Sequence, residues 1–190
     1  MFAKVIITRA GYDPEKGKHI KDPYLGDTPS VGACRPDIRK RIPIGGQFFV
    51  ITGKVKGVQQ FVLGGLEVAE KISAREAFQR FPEQRLRARD DGQLDGNVIV
   101  DEAGGQHDLD DHKNFDRRLD NYLVGRNPIV LTTPREIAIG REETLEALQE
   151  ILKRKGARPI DIVGRWGRDL AEAEAEALRA WLLTIKNRAA

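Results

Sequence analysis

Two apolar runs, Gln47-Phe48-Phe49-Val50-Ile51-Thr52-Gly53 and Val58 to Ile72, lie four residues apart, with Gly57 just before the second. Runs rich in Val, Ile and Phe, bounded by glycines, read as strands, and so short a link makes them neighbours joined by a turn. The second run contains Gly64-Gly65, where a bulge or a barrel corner is expected. Phe48 and Phe49 are adjacent and therefore point to opposite faces of their strand. One belongs in the core, and the other is a candidate to line a pocket.

The remaining elements follow from local signals. Phe2 to Arg9 is a strand dominated by Val5-Ile6-Ile7-Thr8. Ala10 to Gly32 is a long polar loop. Pro36 opens a short basic helix reaching about Arg41. Ser73-Ala74-Arg75-Glu76 is a capping box, so a helix starts there and stops before Pro82. Arg85 to Gly96 is a charged loop, Asn97 to Val100 a short strand, Gly104 to Asp120 an acidic irregular stretch, and Pro128 to Thr132 another strand. Glu142 to Lys155 is an amphipathic helix with Gly156 as its C-cap. A last helix runs from an Asp169 cap to about Lys186, with Leu170, Ala173, Ala177, Leu178, Trp181 and Ile185 inward. Strands first and helices last argue for α+β. Short glycine-punctuated strands suggest a small curved β-barrel with peripheral and C-terminal helices. Residues 1–132 form the barrel and 133–190 a helical extension packed on it, one compact unit.

A chain of 190 residues can bury most of its apolar surface without disulfides or a structural metal, and its single Cys34 fits a reducing compartment. No apolar run has membrane-spanning length and the N-terminus lacks a signal sequence, so the expected location is cytoplasmic with no membrane partner. Net charge is +3 but unevenly spread: residues 1–60 hold 11 Lys/Arg against 5 Asp/Glu, and residues 90–120 hold 3 against 10. A basic first third points to a phosphate-bearing partner.

Arg35, Arg39 and Lys40 are the candidates to hold phosphate, because guanidinium forks grip phosphate oxygens in pairs. The chemistry-bearing stretch is acidic: Asp95, Asn97, His107, Asp108, Asp110, Asp111, His112 and Asp116. Asp95, His107, Asp108 and His112 are the candidate acid, base or metal groups, and Asn97, His107 and His112 the candidate readers of a base. No zinc spacing is present, so no metal is expected. The paired glycines match neither a P-loop nor a dinucleotide fingerprint, so no ATP, NAD or other cofactor is expected. Cys34 has neighbouring arginines but no identifiable His partner.

The segment Ala33-Cys34-Arg35-Pro36-Asp37-Ile38-Arg39, the strand entered through Gly45-Gly46-Gln47, and Leu66-Glu67-Val68-Ala69 with a helix after it resemble the second type of nucleotide modification associated domain of bacteria and phages. Asp95-Gly96-Asn97-Val98, followed by the histidines, is similar to that family's Gly-Asp-Asn and His region with two residues exchanged. The strand-turn-strand section also resembles PUA-like barrels, the group that includes ASCH and EVE domains. Gly45-Gly46 stands where the family has Gly-Asp. The resemblance implies a module binding nucleic acid or a nucleotide, with a modified base as one form of the ligand. An enzyme of nucleotide or DNA-base modification working through Asp95, His107 and His112 is the alternative, and a protein-interaction domain the second.

Overall fold

The computed structural model describes residues 2–190. It is a mixed α+β structure. Its main sheet has six strands: β1 (Ala3–Gly11), β2 (Ser30–Val31), β3 (Gln47–Gly53), β4 (Val62–Ile72), β7 (Tyr122–Val130) and β8 (Arg168–Leu170), in the order β2-β7-β4-β3-β1-β8. A two-stranded ribbon pairs β5 (Arg87–Ala88) with β6 (Leu94–Asp95). The helices are α1 (Pro36–Arg41), α2 (Ala74–Arg80), α3 (Pro134–Ile151), α4 (Pro159–Val163) and α5 (Glu172–Ala189). The strand order ends at β2 and β8, and no ladder joins those edges among the described residues. Chain contacts define two compact units, residues 1–20, 45–67 and 127–190, and residues 21–44 and 68–126.

The first unit is built on the expected strand pair. β3 runs antiparallel to β4 with Phe48 opposite Leu66, and parallel to β1 with Val5 opposite Phe49. The register slips between Val50 and Ile51, whose partners are Gly64 and Val62, so the bulge falls beside Gly64 as expected. A Cβ on Gly64 would lie 2.2 Å from the Ile129 carbonyl oxygen, so only glycine allows this approach. β3 lies between two strands, and both Phe48 and Phe49 are shut away, at 0% and 1% exposure. Neither lines a pocket, which corrects the expectation for the pair.

In this unit α3 starts earlier, and α5 later, than the sequence suggested. α3 begins at a capping box in which Thr133 accepts from the Glu136 amide at 3.2 Å while Glu136 accepts from the Thr133 amide at 3.1 Å, with Pro134 in the first turn. Burial opposes ionisation of Glu136, but the Thr132 amide, the Lys186 ammonium and the Thr133 amide outweigh it and hold its pKa below the ordinary value. Thr144 on α3 accepts from the Val62 amide at 3.0 Å, tying the helix to β4. Asp169 lies in β8, where it pairs with Lys4 across to β1, rather than capping a helix. α5 starts at Glu172 and buries Ala175, Leu178, Leu182 and Ile185. Ala173 and Ala177 face solvent.

In the second unit, Ser73 caps α2 as expected, accepting from the Glu76 amide at 3.1 Å. Ile72, Ala77, Phe81, Val98, Val100, Tyr122 and Val124 form its core, with the Phe81 and Tyr122 rings stacked 6.2 Å apart. Asn97 to Val100 makes only isolated bridges, Arg85 with Val98 and Val100 with Gln106, so the expected strand is absent there. Among the described residues no helix is long and apolar enough to cross a membrane.

Candidate functional site

The basic helix α1 does not present its arginines together. Arg39 is fully buried, and its guanidinium donates to the carbonyls of Asp120 (3.2 Å), Asn121 (3.1 Å) and Arg118 (3.3 Å). Those carbonyls are freed where the chain reverses before β7, with Asn121 at φ +57°. A guanidinium committed to three carbonyls is a structural cross-link, so Arg39 is withdrawn as a phosphate ligand. Arg35 precedes the helix at φ +50° and forks onto Asp37 at 2.9 and 3.1 Å. Lys40 is exposed, and its carbonyl accepts from Lys71.

Asn97, too, is internal. Its Nδ2 donates to Asp22 (3.1 Å) and Ser30 Oγ (2.8 Å), and its Oδ1 sits 2.7 Å from the Tyr122 hydroxyl. Ser30 Oγ reaches Gln84 Oε1 at 2.5 Å, and Gln84 Nε2 donates to the Thr28 carbonyl at 3.0 Å. Asp22 ties this network to the chain: its carboxylate accepts from the amides of Gly32 (2.9 Å), Ala33 (3.0 Å) and Cys34. Every polar atom of the Asn97 amide is used, so Asn97 is corrected from a base reader to a structural residue. Asp22, Gln84 and Tyr122 escape sequence reasoning because they are far apart in the chain and carry no shared spacing.

Cys34 borders this network. Burial pushes its thiol pKa up, and the charge of Asp22 and a hydrogen bond to it push further, against the opposing charges of Arg118 and Lys21. A thiol held protonated is a poor nucleophile. In folded protein at about pH 8 Cys34 should therefore react with a thiol-specific chromogenic reagent at least tenfold more slowly than in denatured protein, read by absorbance. Equal rates would show the thiol to be exposed and ionised.

The remaining candidates lie on the β5–β6 ribbon and in the segment after it. Asp95 is engaged by Arg87 at 2.6 Å and by the Gly96 amide. His107 Nδ1 accepts from the Leu109 amide at 3.1 Å, and His112 Nδ1 lies 2.6 Å from Asp110. Asp108 is exposed. Asp110, Asp111 and His112 could each offer one atom within 4.8 Å of the others, while Asp110 also takes a hydrogen bond from Gln106. None of the expected site residues lines the two clefts of the first unit.

Both clefts belong to the first unit. The larger, about 600 Å³, lies between the β3–β4 turn (Lys54 to Gln60), α3 and the start of α4. The smaller, about 500 Å³, adjoins it, sharing Val58, Gln59 and Arg141. Val55, Val58, Leu145 and Pro159 form an apolar floor, and Lys54, Lys56, Arg141 and Arg158 supply four cations against Glu142. Arg141 is held by Asp13 at 3.0 Å with its guanidinium 5.8 Å from the Phe61 ring, and Arg158 forks onto Asp161 at 2.8 and 3.2 Å. Lys54 and Lys56 are exposed and have no carboxylate partner among the described residues. Two lysines flanking a valine in a strand-to-strand turn are the sequence signal for this site. Comparison of the chain with protein-family models, with curated proteins and with solved structures finds no match.

Proposed function

We propose that the protein binds nucleic acid or a nucleotide, and that the cleft of the first unit is the binding site. The observation that carries this reading is the pairing of an apolar floor with two cations, Lys54 and Lys56, left without carboxylate partners. A base has apolar faces and a phosphate needs ammonium or guanidinium donors, so floor and rim match the two ends of a nucleotide. A volume of about 600 Å³ suits a ligand of that size. The resemblance to nucleotide modification associated domains and PUA-like barrels agrees with this ligand class, and the bulged β3–β4 pair supports it. A modified base is one form such a ligand takes. The alternative, an enzyme working through Asp95, His107 and His112, finds none of those residues in the cleft.

Replacing Lys54 and Lys56 together by Ala should weaken binding of a fluorescent oligonucleotide by about thirtyfold at low salt, taking about 1 kcal/mol for each lysine–phosphate attraction in water. Arg35→Ala with Lys40→Ala, in the second unit, should leave affinity within about twofold. Anisotropy titrations check both. Weakening by the second pair and none by the first would move the site to α1.

A further inference from the structure

We infer that the ligand of this cleft is a single-stranded nucleic acid, and that Trp166 is a platform on which one of its bases stacks; the inference rests on the cleft being the nucleic-acid site. Trp166 is 70% exposed. It stands at the tip of the turn Gly164-Arg165-Trp166-Gly167, with the Arg165 guanidinium 5.4 Å from its ring centroid. The turn is fixed at both ends. Gly164 and Gly167 have φ of +82° and +81°, and a Cβ on Gly167 would sit 2.6 Å from the Val5 carbonyl oxygen. The platform is therefore anchored on β1, which lowers the ordering entropy that stacking must overcome.

Charge points to the same ligand. Residues 153–168 hold six Lys/Arg and one Asp, a balance that exceeds the +3 of the whole chain. Some of these cations have local roles: Lys153, Arg154 and Lys155 follow α3, whose C-terminal end favours positive charge, and Arg168 pairs with Glu174 at 3.0 Å. A helix end accounts for cations there, but it does not account for an exposed tryptophan with an arginine on its face. Aromatic and guanidinium surfaces in a basic setting stack bases without reading their identity.

Distance separates a strand from a mononucleotide. Arg158 and Pro159 line the cleft, and α4 leads from them to the Gly164 turn. Trp166 lines neither cleft, so a ligand that fills the cleft and also stacks on the indole extends beyond it, and the five residues of α4 span roughly 7 Å, about two stacked nucleotides at roughly 3.4 Å each. A duplex buries its base faces against one another and offers none to the indole.

The test uses the full chain carrying Trp181→Phe, so that emission reports Trp166, with oligo-dT or oligo-rU of about 12 nucleotides, a duplex of equal length, and thymidine monophosphate. Either oligonucleotide should quench the emission. Trp166→Ala should weaken its binding by about 5- to 100-fold, with Trp166→Phe recovering most of that affinity. Monophosphate affinity should be unchanged in Trp166→Ala and reduced in the Lys54→Ala, Lys56→Ala protein. Unquenched emission, equal oligonucleotide affinity in Trp166→Ala, or a duplex bound as tightly as the single strand would overturn the strand inference and leave the cleft standing. Unchanged affinity in the lysine variant would instead overturn the cleft.

Discussion

Asp22→Ala should lower the melting temperature by roughly 10 °C or more, a destabilisation of about 3–5 kcal/mol. The carboxylate accepts from three consecutive backbone amides, at Gly32, Ala33 and Cys34, and from the Asn97 side chain. Alanine leaves those buried donors without an acceptor, each at about 1–3 kcal/mol. It also removes the negative charge that favours the ionised form of the buried Arg39. Asp22→Asn should recover only part of the stability, since its amide nitrogen cannot accept. Asp22 also raises the Cys34 pKa, so the same variant should label faster at Cys34. Thermal denaturation followed by circular dichroism gives the first readout. A melting temperature within about 1 °C of the parent would mean the network is not cooperative.

Arg39→Ala should cost about 3 kcal/mol or more of stability while leaving the salt dependence of oligonucleotide binding unchanged. Three carbonyls are left without their donors, and the arginine stem leaves a cavity. Arg39→Lys should not restore stability, because one ammonium cannot span the positions held by two guanidinium nitrogens. The Asp22 and Arg39 replacements should be non-additive, since each group offsets the other's charge. Urea unfolding and anisotropy on one preparation check both halves. A stable Arg39→Ala protein that binds poorly would restore Arg39 to the ligand site.

Local signals carry much of the fold. β-branched runs place β1 and β3, the Ser73 box places α2, and Gly64 marks the bulge, because each depends on residues within a few positions. The Thr133-Pro134-Arg135-Glu136 box at α3 is an equally local signal, and it sets the start of that helix at Pro134, eight residues before the amphipathic pattern from Glu142 does. Asn97 to Val100 fails as a strand since pairing needs a partner that local composition does not supply. Asp169 has the chemistry of a helix cap, but β8 takes it up instead; the buried face of α5 then falls on Ala175, Leu178, Leu182 and Ile185.

The site is less legible than the fold. Arg39 reads as a surface cation in sequence, and only the carbonyls of residues 118, 120 and 121 make it internal. Phe48 and Phe49 look like one core and one pocket residue, but both faces of β3 are covered, at 0% and 1% exposure. The cleft joins Lys54 and Lys56 to Arg141 and Arg158, about a hundred residues later in the chain, and no spacing announces that meeting.

The most direct measurement is the slope of log affinity against log salt for a labelled single-stranded oligonucleotide, between about 50 and 200 mM, in the parent and in the Lys54→Ala, Lys56→Ala protein. Lysines that neutralise phosphates release counterions, so the parent slope is expected to be negative and the variant slope shallower by about 1.4, or about 0.7 for each phosphate no longer neutralised. Superimposable lines, or a parent whose affinity ignores salt, would contradict the assignment of the cleft as the phosphate-binding site.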